Sequence, residues 1–255
     1  MKKNSIFKLF VCLFVSLMAS SAFAQDGSIL GMPALTSSVG ENGEATYSLS
    51  LQILVLMTVL TLVPSIVLGM TAFTRVIIVL SILRQALGTQ QTPPNQVLIA
   101  IALFITFYVM SPIFEILYET ALNPYLEGTT SAQAALAIAT DLLKEFMVAN
   151  TRSSTMNMFA EMAGEGPFED TQAIPLSIVL PSFITSELKT AFEIGFLIFM
   201  PFLVIDFVIA SILMSLGMMM LSPMLISLPF KLLLFVLVDG WAMTIGSLSS
   251  TFVVG

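Results

Sequence analysis

The chain has 255 residues, of which 57% are hydrophobic and only 10% are charged. This is more apolar surface than a water-soluble core can bury, so the composition excludes an ordinary soluble domain and indicates a membrane protein. The formal net charge is −7 and the nine basic residues form no cluster, which argues against a nucleic-acid partner. Histidine is absent and Cys12 is the single cysteine, so we expect no metal, no cofactor and no enzyme activity.

The first 24 residues have the three parts of a secretory signal peptide. Lys2 and Lys3 give a positive start, residues 9–18 form a short apolar core, and residues 22–24 (Ala-Phe-Ala) provide the cleavage pattern. We expect cleavage after Ala24, because the apolar core is short for a membrane span of about 20 residues. An uncleaved anchor is the alternative.

The rest of the chain divides into four segments by charge and hydropathy. A short polar segment precedes a first apolar region, and an acidic segment separates that region from a second one. The four segments are residues 25–48, 49–118, 119–190 and 191–255, with apolar runs at 49–69, 76–87, 97–118, 191–216 and 225–246. We predict an all-α integral membrane protein, in which two apolar hairpin regions are joined by a helical periplasmic segment.

The distribution of charge predicts the orientation of these segments. Residues 119–190 contain nine acidic and three basic side chains, which is typical of a translocated segment. Arg75 and Arg84 assign the stretch 70–96 to the cytoplasmic side by the positive-inside rule. A cleaved signal peptide agrees with this orientation, since it leaves the mature N-terminus outside.

The acidic segment is predicted to contain two short helices. Thr130 and Gln133 have the spacing of a capping box before a first apolar stripe, and a second stripe ends at Gly164. The stripes consist of Leu136, Leu143, Phe146 and Met147 in the first helix and of Met156, Phe159 and Met162 in the second.

Phe146 and Phe159 are the largest side chains of these two stripes. They either face each other within one subunit or contact a neighbouring subunit, because two short helices have little core of their own. We take both as candidate subunit-interface residues. Glu187, at the foot of the next apolar run, is a further candidate for the same interface.

Besides Arg84, five charged residues interrupt the apolar runs, and each is costly in hydrocarbon, by about 2.5 to 3.5 kcal/mol at mid-span. They are Glu115, Glu193, Asp206, Lys231 and Asp239. At about 1.5 Å per residue, Asp206 and Lys231 lie at similar distances before and after one turn, so a helical hairpin would pair them. We predict a structural intramembrane ion pair between these two residues.

Asp206 and Asp239 also raise the alternative of an intramembrane aspartyl protease, in which two carboxylates share a proton. The residues around Asp239 read Leu-Val-Asp-Gly and lack the Gly-x-Gly-Asp sequence of that class. Lys231 offers Asp206 a simpler partner. The paired-carboxylate hypothesis is therefore weak.

The turn between the last two apolar runs reads GMMMLSPM, residues 217–224. Turns normally contain Gly, Asn, Asp or Ser, so consecutive methionines are unusual there. Methionine is unbranched and flexible and can fill an irregular hole. Gly217 and Pro223 both suit a bend between two helices.

Two long blocks of the sequence resemble the signature blocks of the FliP family, the export-gate component of flagellar type III secretion. The blocks are FTRVIIVLSILRQALGTQQTPPNQVLIAIALFITFYVMSP at 73–112 and LPSFITSELKTAFEIGFLIFMPFLVIDFVIASILMSLGMMMLSPMLISLPFKLLLFVLVDGW at 180–241. Together they cover about two-fifths of the chain. The resemblance is closer to the flagellar branch than to the injectisome branch of the family.

The resemblance implies a function as well as a fold. Family members form a five-copy ring that joins FliQ and FliR, binds FlhA and FlhB, and passes unfolded flagellar subunits through the bacterial inner membrane at the basal body. It also implies that much of the assembled complex lies outward of the bilayer, and that the loop matching Met218, Met219 and Met220 seals the closed pore. At Glu193 the chain departs from the family, where an uncharged amide is usual.

A small-solute or ion transporter is the alternative function. Such a protein commonly has inverted repeats with matching broken helices in its two halves. No repeat of this kind is visible in the sequence.

Overall fold

The computed structural model describes residues 28–29, 32–33, 35–39, 45–49, 51–89, 91–166, 168, 171–218 and 221–253. The predicted signal peptide, residues 1–24, lies outside the described residues and stays a prediction. The chain divides into two compact units, Met1–Pro64 and Ser65–Gly255.

The first unit contains four short strands that the sequence did not predict. Strand β1 (Ser28–Ile29) pairs antiparallel with β2 (Met32–Pro33), and β3 (Leu35–Val39) pairs antiparallel with β4 (Ala45–Leu49). Helix α1 (Leu51–Gly69) begins in this unit. The strands lie in the polar segment, where β-branched and hydroxyl side chains suit a hairpin.

Among the described residues of the second unit, all regular secondary structure is helical, which confirms the predicted fold class for the body of the chain. Helix α2 (Phe73–Leu87) ends at Gly88, whose φ of 74° is the left-handed conformation that terminates a helix. Helix α3 (Asn95–Leu117) continues through a π-helical turn (Tyr118–Leu122) into the short helix α4 (Asn123–Leu126).

Two helices and a short 3₁₀ turn form the acidic segment. Helix α5 (Ala132–Ala149) is capped by Ser131, whose hydroxyl accepts a hydrogen bond from the backbone N–H of Ala134. The predicted cap, Thr130, is therefore wrong by one residue. Helix α6 (Ser153–Ala163) ends at Gly164 as predicted, and a 3₁₀ turn (Thr171–Ala173) follows.

The last part of the chain contains the longest helix, α7 (Leu176–Ser215), followed by α8 (Pro223–Leu237) and α9 (Gly240–Ser250). The 40 residues of α7 extend for about 60 Å, roughly twice the thickness of a bilayer core. The boundary predicted at 190 lies inside this helix, so the acidic segment and the last apolar region share one continuous element. Helices α8 and α9 meet at an angle of 63°.

Among the described residues, two helical stretches are long and apolar enough to cross a membrane, Asn95–Leu126 and Leu176–Ser215. The number rises to four if each of two bent helix pairs counts as one span. These pairs are Leu54–Gly69 with Phe73–Leu87 and Pro223–Leu237 with Gly240–Ser250. Length and composition thus agree with the predicted membrane protein.

Helix α2 is the centre of the second unit. Its buried residues recur at helical spacing and pack on α7 and α3, with Val76, Val79 and Leu80 fully enclosed. Phe183 of α7 and Met110 of α3 complete the same core. At about 1.5 to 3 kcal/mol for each fully buried side chain, this stripe is a major contribution to stability.

Candidate functional site

The methionine turn joins α7 to α8 in a geometry that its flanking residues define. Gly217 has φ of 73°, and its N–H donates to the carbonyl of Met214 at 3.1 Å. The N–H of Met218 donates to the carbonyl of Leu213 at 3.0 Å. These two hydrogen bonds close α7 in a Schellman motif. Pro223 is the first residue of α8, where its missing N–H has no cost.

The side chains around this turn are apolar and exposed. Met218 has 42% of its surface exposed within the single chain, and Met219 and Met220 lie outside the described residues. The exposed apolar residues that flank the turn are Met214, Leu216, Leu221, Met224 and Leu225. A cluster of this kind at the tip of a hairpin indicates contact with something other than water.

Behind the turn, an ion pair joins the two arms of the hairpin. Lys231 Nζ of α8 donates to Asp206 Oδ2 of α7 at 2.5 Å, and Ser227 Oγ donates to Asp206 Oδ1 at 2.5 Å. The Lys231 side chain is 4% exposed and the Asp206 side chain is 36% exposed. The pairing predicted from the sequence is thus confirmed. Ser227, fully buried, is a third member that the sequence analysis missed.

The same lysine also fixes the hairpin to α2. Its ammonium donates to the carbonyl oxygen of Ala86 at 3.2 Å. This carbonyl belongs to the last turn of α2, where the helix lacks N–H partners of its own and its dipole attracts positive charge. A side chain at Gly88 would lie 3.9 Å from Lys231 Nζ and 3.9 Å from Met224 Cγ. The turn therefore lies beside the C-terminal end of α2.

The geometry of Asp206 argues against the protease hypothesis. Both carboxylate oxygens are occupied, one by Ser227 and one by Lys231. Asp239 lies in the break after α8, with φ of 50°, and is exposed. Among the described residues, no group of three or more Asp, Glu, Cys or His side chains is placed to hold a metal ion.

A second ion pair lies at the opposite end of α2, and the sequence analysis did not predict it. Arg75 Nε donates to Glu187 Oε2 at 2.8 Å, Arg75 Nη2 also donates to Glu187 Oε1, and both side chains are almost completely buried. Arg75 is therefore a core residue rather than a free loop charge. The other arginine used to assign the cytoplasmic side, Arg84, lies in the last turn of α2 and donates to Asn95 Oδ1 at 2.6 Å.

The interface role expected for Phe146, Phe159 and Glu187 stays a prediction, because it concerns a second copy of the chain. Within one chain, Phe146 is 4% exposed and packs on Phe183 and Phe252, with ring centroids 6.0 and 6.5 Å apart. Phe159 packs at the edge of the same core and is only partly buried. The geometry favours Phe159 over Phe146 and Glu187 as a contact residue, since the latter two have almost no surface left.

Two other charges that interrupt the apolar runs, Glu115 and Glu193, lie on the surface. Arg152, at the start of α6, forms an ion pair with Glu193 of α7, and its Nη2 also donates to Thr190 Oγ1 at 3.3 Å. Both partners are partly exposed, so the pair contributes at most about 1 kcal/mol. Glu115 is exposed on α3. Neither site has the enclosure of the Lys231 network.

The chain is similar to known proteins over most of its length. The profile of the FliP family matches residues 56–248. The chain is 64% identical over 222 residues to the flagellar biosynthetic protein FliP of Cereibacter sphaeroides, which covers 87% of this chain and 73% of that protein. It is 48% identical over 235 residues to the protein of the same name from Pectobacterium carotovorum, an alignment that covers 92% of this chain and 89% of that protein. It is 49% identical over 217 residues to that of Bacillus subtilis strain 168, with 85% of this chain and 96% of that protein covered. Because both the profile and these relatives extend over most of its length, the chain belongs to the FliP family.

Proposed function

We propose that this chain is the core subunit of the flagellar type III protein export gate, and that its methionine loop, Met218 to Met220, seals the closed channel. The observation that carries the proposal is the position of Met218. It lies at the tip of a hairpin whose two arms are held by buried polar contacts, while the tip itself is apolar and exposed.

The chemistry of methionine supports a sealing role. Its side chain has three rotatable bonds and no branch at Cβ, so a ring of such side chains fills an irregular opening and repacks around a passing chain. A ring of apolar side chains also excludes ions by dewetting. The two properties together suit a gate that closes tightly against ions and still admits polypeptides of many sequences.

The hairpin behind the loop supports the same proposal. Lys231 connects α8 to Asp206 of α7 and to Ala86 of α2, so the base of the loop is held from two sides. Gly217 and Pro223 fix the directions in which the chain leaves and re-enters helix. A firmly held base lets the methionine side chains move without displacing the helices.

The assembly follows from the family resemblance. We propose a five-copy ring in the inner membrane at the flagellar basal body, joined by FliQ and FliR, with FlhA, FlhB and unfolded flagellar subunits as further partners. The acidic segment with α5 and α6 would be periplasmic. The role is structural rather than enzymatic, and the energy for export would come from the partner proteins.

The mass and subunit ratio of the complex test this proposal against the small-solute or ion transporter. The chain would be tagged, extracted in mild detergent with its partners and measured by native mass spectrometry. We expect about five copies of this chain together with two different small membrane proteins, and loss of filament-protein secretion when the chain is deleted. A monomer or dimer without such partners, from cells that still secrete filament protein, would contradict the export gate and favour the transporter.

A further inference from the structure

The segment after α9, residues 251–253, is held by three side chains from distant parts of the chain, with Phe252 buried and its two neighbours exposed. We call this the latch segment; it comprises Thr251, Phe252 and Val253. Its partners are Arg75 at the start of α2 and Phe146 and Asn150 at the end of α5. The sequence analysis assigned no role to any of the three latch residues.

Asn150 holds the backbone of the latch at two points. Its side-chain Nδ2 donates to the carbonyl of Val253 at 2.9 Å, and its Oδ1 accepts from the N–H of Val253 at 3.0 Å. The same Nδ2 donates to the carbonyl of Phe146 at 2.9 Å, which fixes the orientation of the amide. An amide that pairs with both polar groups of one residue recognises extended backbone, whatever the side chain at that residue.

Arg75 and Phe146 hold the side chains of the latch. The ring of Phe252 is 8% exposed, with the Arg75 guanidinium carbon 3.9 Å from its centroid and the ring of Phe146 stacked at 6.5 Å. Arg75 Nη1 donates to both the carbonyl and the hydroxyl of Thr251, each at 3.0 Å. The latch thereby contacts the guanidinium of Arg75, the same group that pairs with Glu187.

Helices α9 and α8 connect the latch to the methionine loop, and they pack closely on each other where they meet. A side chain at Gly240 would lie 2.8 Å from Phe235 Cγ, so the backbone at the start of α9 packs directly on the phenyl ring of α8. Trp241 packs edge-on against the same ring at 5.5 Å. These two contacts join the start of α9 closely to the end of α8.

Helix α2 holds both ends of this path. Arg75 near its start binds the latch, and Ala86 in its last turn accepts from Lys231 of α8. The two positions are about 16 Å apart along the helix. One interior helix thus positions α8 near the loop and α9 at the far end.

We propose that the latch segment is a positioning element for the methionine loop, acting through α9 and α8. Seating of residues 251–253 fixes the far end of the hairpin, and release of the latch loosens the loop. The consequence for the channel rests on the proposed gate function, but the mechanical coupling is a property of the single chain.

Cysteine labelling in the assembled full-length complex tests this coupling. Val253 and Met218 are 58% and 42% exposed, so each position accepts a label without disturbing the core. With Cys12 replaced by alanine, a nitroxide label on Val253→Cys reports the mobility of the latch, and one on Met218→Cys reports the mobility of the loop, each by its electron paramagnetic resonance spectrum. Asn150→Ala removes both hydrogen bonds to the latch backbone, and we expect it to raise the mobile fraction of both labels by about fivefold or more. Ser250→Ala is the matched control, because the Ser250 hydroxyl is exposed and bonds only to Ser247 within α9.

The outcomes separate coupling from local stabilisation. A more mobile label at residue 253 with unchanged mobility at residue 218 would overturn the coupling, and unchanged mobility at both would show that Asn150 does not hold the latch. If Asn150→Ala prevents assembly, Asn150→Asp gives the same test, because it keeps the acceptor for the Val253 N–H and removes the amide donor that the carbonyls of Val253 and Phe146 share. The mobility at residue 218 describes the loop whether or not the loop seals a channel, so a failure of the gate function would leave this result intact.

Discussion

Asp206 and Lys231 are expected to respond unequally to substitution, because their side chains are 36% and 4% exposed. In Asp206→Asn the buried Lys231 ammonium loses its carboxylate and keeps only the Ala86 carbonyl and a neutral amide as partners. Loss of one partner of a buried ion pair typically lowers stability by about 3 to 5 kcal/mol. Lys231→Met keeps the apolar stem and leaves a carboxylate that still has Ser227 and some solvent, so we expect a cost of about 1 to 3 kcal/mol.

The double variant should recover a substantial part of the loss, since neither charge is then left without a partner. The assay is the fraction of complex that survives graded heating in mild detergent, analysed as a double-mutant cycle. We expect a coupling energy of about 2 kcal/mol or more. Ser211→Ala is the control, because this hydroxyl is exposed and bonds only within α7. Additive defects would refute the pairing, and a Lys231→Met defect as large as that of Asp206→Asn would refute the argument from burial.

Phe146→Ala should lower the amount of folded subunit in membranes, because loss of a buried phenyl ring lowers the free energy of unfolding by about 3 to 5 kcal/mol. Phe159→Ala should leave the subunit level unchanged and lower the yield of ring on native gels. An equal loss of subunit for both variants would contradict this. Glu187→Gln leaves a buried guanidinium without its carboxylate and should cost about 3 kcal/mol or more, seen as loss of complex at raised temperature; an unaltered melting profile would contradict it. Gly195→Ala would place a methyl group 3.0 Å from Cγ2 of Ile82 and should destabilise the chain by about 1 to 3 kcal/mol. Gly246→Ala is the control, because its methyl group meets open space and should not destabilise the chain. The melting profile of the complex measures both, and equal profiles for the two variants would contradict the argument.

The sequence predicted those features that depend on short stretches of chain. The long apolar runs predicted the apolar helices, because the length and composition of a helix can be read from one continuous stretch of sequence. Gly217 and Pro223 predicted the bend at the methionine turn, and the distances along two helices from that bend predicted the pairing of Asp206 with Lys231. In each case a periodic or counted spacing carried enough information to place the residues.

The features that could not be predicted from the sequence depend on contacts between segments far apart in the chain. Arg75 and Glu187 are 112 residues apart, and an arginine near an apolar run is also typical of a cytoplasmic loop. Asn150 and Val253 are 103 residues apart and pair partly through backbone, which leaves no pattern in side-chain type. The cap at Ser131 rather than Thr130 is a local error, since either hydroxyl suits the start of a helix.

Ion conductance of the purified complex in a planar bilayer tests the sealing role of the methionine loop most directly. The variant replaces Met218, Met219 and Met220 with alanine, and a matched control replaces three exposed methionines outside the loop, Met158, Met200 and Met243, with alanine. We predict that the unaltered complex and the control stay closed to small ions while the loop variant conducts, because alanine leaves gaps that methionine fills. A loop variant that assembles normally and stays as closed as the control would contradict the gate.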